Sequence, residues 1–156
     1  METGNVLESR VGYQLKKAQH ALRLQMDGTL RRVGLTTPQY AALSVLEDGP
    51  GLSGAELARR CFVTPQTMNA IVANLETAGL VDRRPHPEHG RVLQAYLTEM
   101  GEELVSRAHG IVEDIEQHML AGLDRDERLR LLKVLRSCTD SLKTGPKETS
   151  AGVPME

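Results

Sequence analysis

A chain of 156 residues and 17.2 kDa suits one domain, or one protomer of a small oligomer. Hydrophobic residues are 40%, charged residues 26% and the net charge −2, which excludes a disordered chain, a fibre and a protein that coats nucleic acid nonspecifically. No apolar stretch approaches the roughly 20 residues that cross a bilayer, and Met1-Glu2-Thr3-Gly4 begins no basic-then-apolar leader, so a cytoplasmic protein without a membrane is expected.

Aromatic residues are 3%, with no tryptophan, so a helical core of Leu, Val, Ala, Ile and Met is implied. Residues 6–32 place Leu7, Val11, Leu15, Ala18, Leu22, Met26 and Leu30 at spacings of three and four, which predicts a long helix with one apolar face, stopped at Gly34. Thr37-Pro38 opens a second helix to about Glu47: the threonine hydroxyl can cap, and proline loses no hydrogen bond at a first position. Ser53 and Glu56 fit a capping box for a short helix to Arg60. Thr64-Pro65 then opens a helix through Met68, Ile71, Val72 and Leu75 to Ala78-Gly79. Two short helices joined by a tight turn make a helix-turn-helix.

Leu80–Arg84 and Val92–Leu97 read as two strands of a hairpin whose long tip, 85–91, is rich in turn formers. Two strands are too few to stand alone and must lean on the helices. Thr98 caps a helix carrying Leu104, Ala108, Ile111, Ile115 and Met119 as far as Gly122. Asp124 with Glu127 repeats the capping pattern before a last helix marked by Leu131, Leu135, Cys138 and Leu142. Residues 146–156 show no periodicity and are expected to be disordered.

Helix, turn, helix, hairpin is the order of a winged helix-turn-helix, whose second helix enters the major groove of DNA while the hairpin tip reaches a neighbouring minor groove. On that second helix Gln66, Thr67, Asn69, Ala70, Ala73 and Asn74 face outward, and Met68, Ile71, Val72 and Leu75 pack inward. Glutamine and asparagine can pair with adenine, and threonine or alanine can touch a thymine methyl. The helix carries no Lys or Arg, so phosphate charge falls to Arg59, Arg60, Arg83, Arg84 and Arg91, and to helix starts at Ser53, Thr64 and Pro65. Residues 53–97 hold five basic against four acidic residues, while 98–145 hold seven against ten, so acidity sits away from this unit. Arg91, beside Gly90, can extend into the narrow minor groove.

The text Leu57-Ala58-Arg59-Arg60, Val63-Thr64-Pro65-Gln66-Thr67-Met68-Asn69, Leu75-Glu76-Thr77-Ala78-Gly79-Leu80-Val81 and the wing from Pro87 through Arg91 to Leu97-Thr98 and Gly101 resembles the MarR family of winged-helix regulators. The likeness extends over about residues 6–143. It implies a mostly α fold with a small β-hairpin wing and N- and C-terminal dimerisation helices. Residues 1–35 and 123–145 would dimerise, 36–100 would form the winged DNA-binding domain, and 101–122 the long linking helix. The apolar patterns of 6–30 and 129–142 independently ask for a helical partner, which a second copy or a four-helix bundle within the chain would supply. The family's wing commonly reads Asp-Pro-x-Asp-x-Arg; Arg91 matches its DNA-contacting arginine, but His86 and His89 stand at the aspartates, and His89 cannot anchor the arginine by an ion pair. The resemblance also implies release of DNA by a small aromatic or phenolic acid, with Arg10, Tyr13, His20 and Tyr40 the polar candidates in its cleft.

These readings give a homodimeric repressor of double-stranded DNA on a palindromic operator. The rival is a helical protein-interaction module that never touches DNA, favoured by the net acidity and the cation-free helix. No phosphate loop, Ser-His-Asp set or carboxylate pair supports an enzyme, and no cofactor is expected. Cys61 and Cys138 are expected as buried thiols, Cys61 plugging the turn rather than sensing oxidants. His86 and His89, with Glu88 between them, could hold a metal only if the loop turned tightly, and none is expected; histidine titrates near neutrality and can make wing placement pH-sensitive.

Overall fold

The computed structural model describes residues 6–145, so the tail 146–156 lies outside the described residues. The chain divides into two compact units after Glu116.

In the first unit, α1 (Val11–Leu30) is shorter than its periodicity, because Arg10 at its N-cap offers no side-chain acceptor and the last turn tightens into a 3-10 segment, Arg31–Val33. Gly34, at φ 78°, ends it in the left-handed conformation that glycine adopts most readily. Helix α2 (Thr37–Asp48) is capped by Thr36, not by Thr37 as the sequence suggested. The shift by one places Gln39 at the third helical position, where its amide N–H donates to Thr36 Oγ1 (3.3 Å) while its side chain accepts from the Thr36 N–H (3.0 Å). The freed Thr37 hydroxyl donates to Asp27 instead.

Ser53 and Glu56 form the expected box ahead of α3 (Gly54–Arg60). Thr64 caps α4 (Pro65–Thr77), accepting from the Thr67 N–H at 3.2 Å with Pro65 at the first position. The two expected strands, β2 (Val81–Pro85) and β3 (Leu93–Leu97), run antiparallel from Val81↔Leu97 to Pro85↔Leu93. They are joined by a strand that the sequence did not disclose: β1 (Leu52–Ser53) pairs with Ala95 and Gln94, giving the order β1-β3-β2. A strand of two residues has no alternation to read; Gly51, at φ 84°, turns the chain so that its own N–H also donates to the Ala95 carbonyl.

Leu43, Leu46, Leu57, Met68, Leu75, Val81 and Val105 fill the core, which joins α2, α3, α4 and the sheet to α5 (Glu99–Met119). Thr98 closes the start of α5 from both sides, donating to the Gly79 carbonyl (2.6 Å) and accepting from the Gly101 N–H (3.1 Å). On α4 the expected faces hold, except that Ala73, read as outward, and Ile71, read as inward, are both half-buried at the helix flanks.

In the second unit, α6 (Arg125–Lys143) starts at the Asp124–Glu127 capping box, and Arg128 donates to the Leu120 and Leu123 carbonyls. No α6 residue is buried, and Leu129, Leu132, Val134 and Leu135 lie open. Cys138 is therefore exposed and Cys61 only half-buried, against the expectation of two buried thiols. No helix among the described residues is long and apolar enough to cross a membrane.

Candidate nucleic-acid interface

The exposed N-terminal half of α4 presents Pro65, Gln66, Thr67, Asn69 and Ala70, followed one turn later by Asn74. Its inner side is anchored by Met68, Val72 and Leu75, so the amide-bearing side chains are held outward by packing. The helix start adds the positive end of the helix dipole; Pro65 carries no N–H and the Thr67 N–H is taken by the Thr64 cap, which leaves the Gln66 N–H facing outward.

Beside this surface, Ser53, Asn69, Arg83 and Arg91 line one cleft of about 380 Å³ together with Val72 and Leu93. The cleft brings together the start of α3, the middle of α4 and both arms of the wing. Arg83 is already engaged there: Nε and Nη2 donate to the Glu76 carboxylate at 3.2 Å each, and Nη1 reaches Asn69 Oδ1 at 3.4 Å. Those hydrogen bonds hold the Glu76 carboxyl below the usual carboxylate range. Arg60 pairs with Asp48 at 2.5 Å, and the Arg84 guanidinium stacks 4.6 Å from the centre of the Tyr96 ring. Of the five arginines singled out, Arg59 and Arg91 are exposed with no ion pair or hydrogen bond from their side chains among the described residues. Glu76, Asp48 and Tyr96 were not foreseen, since each meets its arginine across elements and leaves no local pattern.

At the wing tip the two histidines do different things. His86 Nδ1 accepts the N–H groups of Glu88 (3.0 Å) and His89 (3.2 Å), which closes the turn as a short acceptor side chain would. The His89 ring lies 5.1 Å from that of His86 and does not anchor Arg91. No cluster of three or more metal-ligating side chains occurs among the described residues. Burial pushes the Cys61 thiol above its usual range, with Arg60 opposing, so the thiolate is scarce at neutral pH.

Among the ligand candidates, Tyr40 is half-buried and its hydroxyl lies 2.9 Å from His109 Nδ1, whose Nε2 is 2.6 Å from Glu47. Burial pushes the phenol up. His109 and Glu47 were missed because 69 and 62 residues separate the partners in the chain. Tyr13 carries the Lys17 ammonium 5.5 Å from its ring centre, while Arg10 and His20 extend into solvent. No hydrogen bond or ring contact joins Arg10, Tyr13 or His20 to Tyr40 among the described residues.

A sequence profile of the MarR family matches residues 33–92, the span from the end of the 3-10 segment to the wing tip. The HTH-type transcriptional repressor Rv2887 of Mycobacterium tuberculosis is 38% identical over 128 residues, covering 82% of this chain and 92% of its own. The crystal structure of Rv2887 in complex with salicylic acid superposes with a TM-score of 0.70 at 37% identity, covering 83% of this chain and 96% of that one. The transcriptional repressor CouR bound to a 23-mer DNA duplex superposes with a TM-score of 0.80 at 28% identity, covering 89% and 98%.

Proposed function

The chain belongs to the MarR family of transcription regulators, not to an enzyme family, and from that premise we propose that it is a homodimeric repressor that binds a palindromic operator and is released by a small aromatic acid. The observation that carries this reading is the outward amide face of α4 beside a cleft lined by Asn69, Arg83 and Arg91. Gln66, Asn69 and Asn74 read base edges; Thr67 and Ala70 offer methyl contacts; Ser53, Thr64 and Pro65 present helix starts to phosphate. Arg59, Arg60, Arg83 and Arg84 serve the backbone, and Arg91 enters the minor groove. Rv2887 and CouR are both named as repressors, and CouR has been solved on a duplex, which supports both the sign of regulation and the mode of binding.

Dimerisation is supported by two surfaces taken separately. On α1, Val11, Leu15 and Leu24 are exposed, and on α6 at least Leu129, Leu132, Val134 and Leu135 are. Apolar side chains left open on terminal helices are the kind that a second copy covers, and two copies set two α4 helices about one DNA turn apart. In this reading the dimer helices lie within 1–35 and 123–145, 36–100 is the DNA-binding domain and 101–122 the link, working in the cytoplasm. The aromatic effector is supported by the salicylic acid complex of Rv2887 and by the linked Tyr40, His109 and Glu47 groups, which can meet a phenol or a carboxylate.

The test is a gel shift with the DNA upstream of the protein's own coding region at two salt concentrations, with salicylate added to a parallel series. A protected palindrome, strong salt dependence and release by salicylate are expected. In the same assay Arg91→Ala lowers affinity and reduces the salt slope by about one per subunit, as loss of a groove cation must. No shift at micromolar protein supports the interaction module instead.

The Glu76 carboxylate competes with phosphate for Arg83, so Glu76→Gln is expected to tighten duplex binding about threefold or more and to steepen the salt slope by about one per subunit. Fluorescence anisotropy across a salt titration measures both. An unchanged slope means that Arg83 never reaches phosphate.

A further inference from the structure

Phe62, the one phenylalanine of the chain, stands in the turn between α3 and α4 at φ 58° and is 95% exposed. Among the described residues it is the one non-glycine with a positive φ. That conformation is disfavoured for a residue with a bulky side chain, and glycine or asparagine holds such a turn with less strain. The ring is almost wholly exposed, so the fold gains no burial in return for the strain. Strain kept for a ring that the chain itself does not bury points to a use of the ring outside the chain.

The surroundings identify what meets it. Two residues on, Thr64 caps α4, and the exposed first turn of that helix follows directly. Three residues back, Arg59 is exposed, and its carbonyl accepts the Phe62 N–H at 3.4 Å, so the ring and the guanidinium leave from one turn. An apolar ring beside a cation at the start of a groove-entering helix matches a deoxyribose beside its phosphate.

We infer that Phe62 is a DNA-positioning residue whose ring packs on the deoxyribose rail at the edge of the major groove, with Arg59 on the adjacent phosphate. This rests on the DNA-binding reading above. The contact reads no base; it fixes the depth and angle at which α4 enters, and backbone strain in the free protein is retained because the bound ring repays it.

Phe62→Gly and Phe62→Asn both relieve the strain and remove the ring, and they differ in flexibility. Each is measured by anisotropy on two labelled duplexes, the fragment upstream of the coding region and a random sequence of equal length. Affinity is expected to fall about tenfold on both duplexes, with the salt slope unchanged because no cation is lost. The melting temperature is expected to rise by about 2–5 °C, a combination that a merely structural role cannot produce. As the chain has no tryptophan, Phe62→Trp supplies a single reporter whose emission shifts or quenches when either duplex is added. Glycine and asparagine variants that bind as tightly as wild type, or a tryptophan signal unmoved by saturating duplex, overturn the inference. Wild type that binds neither duplex at low salt removes the DNA-binding reading itself, and this inference with it; wild type that binds while the variants match it removes the role of Phe62 alone.

Discussion

Gly101→Ala is expected to destabilise the winged unit by about 3–5 kcal/mol, a large share of the roughly 5–15 kcal/mol that holds a domain of this size. A Cβ at Gly101 lies 2.1 Å from the Leu80 carbonyl oxygen, 3.1 Å from its carbonyl carbon and 3.4 Å from its Cα. All three are backbone atoms, so no rotamer change gives way. Leu80 cannot retreat either: its carbonyl accepts the Thr98 N–H at 3.1 Å, its own N–H donates to Leu75, and Gly79 beside it is fixed at φ 75°. The close approach of α5 to the strand entrance therefore depends on a missing methyl. Gly110, in the same helix, meets nothing within 4 Å, so Gly110→Ala is expected to stabilise by about 0.5–1 kcal/mol through better helix propensity. Thermal unfolding of the two variants separates the explanations; equal melting temperatures mean that α5 and Leu80 do not pack this closely.

Gln66→Ala is expected to cost the operator complex about 2–6 kcal/mol, because a paired amide contact to a base is worth about 1–3 kcal/mol and the proposed dimer would make it twice. Gln66 is the cleaner probe of base reading, since its side chain has no hydrogen-bond partner among the described residues, whereas Asn69 is tied to Arg83. The salt slope should stay at the wild-type value, in contrast to Arg91→Ala, since no charge leaves the interface. Affinity for random duplex should also stay unchanged. An equal loss on specific and random DNA assigns Gln66 to the backbone and removes α4 as the reader of sequence.

Most of the α elements were legible because each end of a helix is a local problem. Ser53 with Glu56, Asp124 with Glu127, and Thr64 with Pro65 solve it within four residues, and the coordinates repeat those pairings. Thr36 and Thr37 show the limit: two adjacent hydroxyls are equal in pattern, and the choice falls to Gln39, three residues from one and two from the other. β1 was illegible because two residues carry no period, and its partner lies more than forty residues away. The outward face of α4 followed from helical geometry, but the clamp of Glu76 on Arg83 and the chain from Tyr40 through His109 to Glu47 are tertiary and have no sequence signature. The strain at Phe62 is likewise a backbone property that residue type conceals.

Ser53 serves two masters: it pairs with Gln94 in the sheet, and its hydroxyl starts α3. One residue thus rivets the wing to the reading head, leaving no slack between them. Within this unit the wing is not free to part from the start of α3, so any displacement of one carries the other with it.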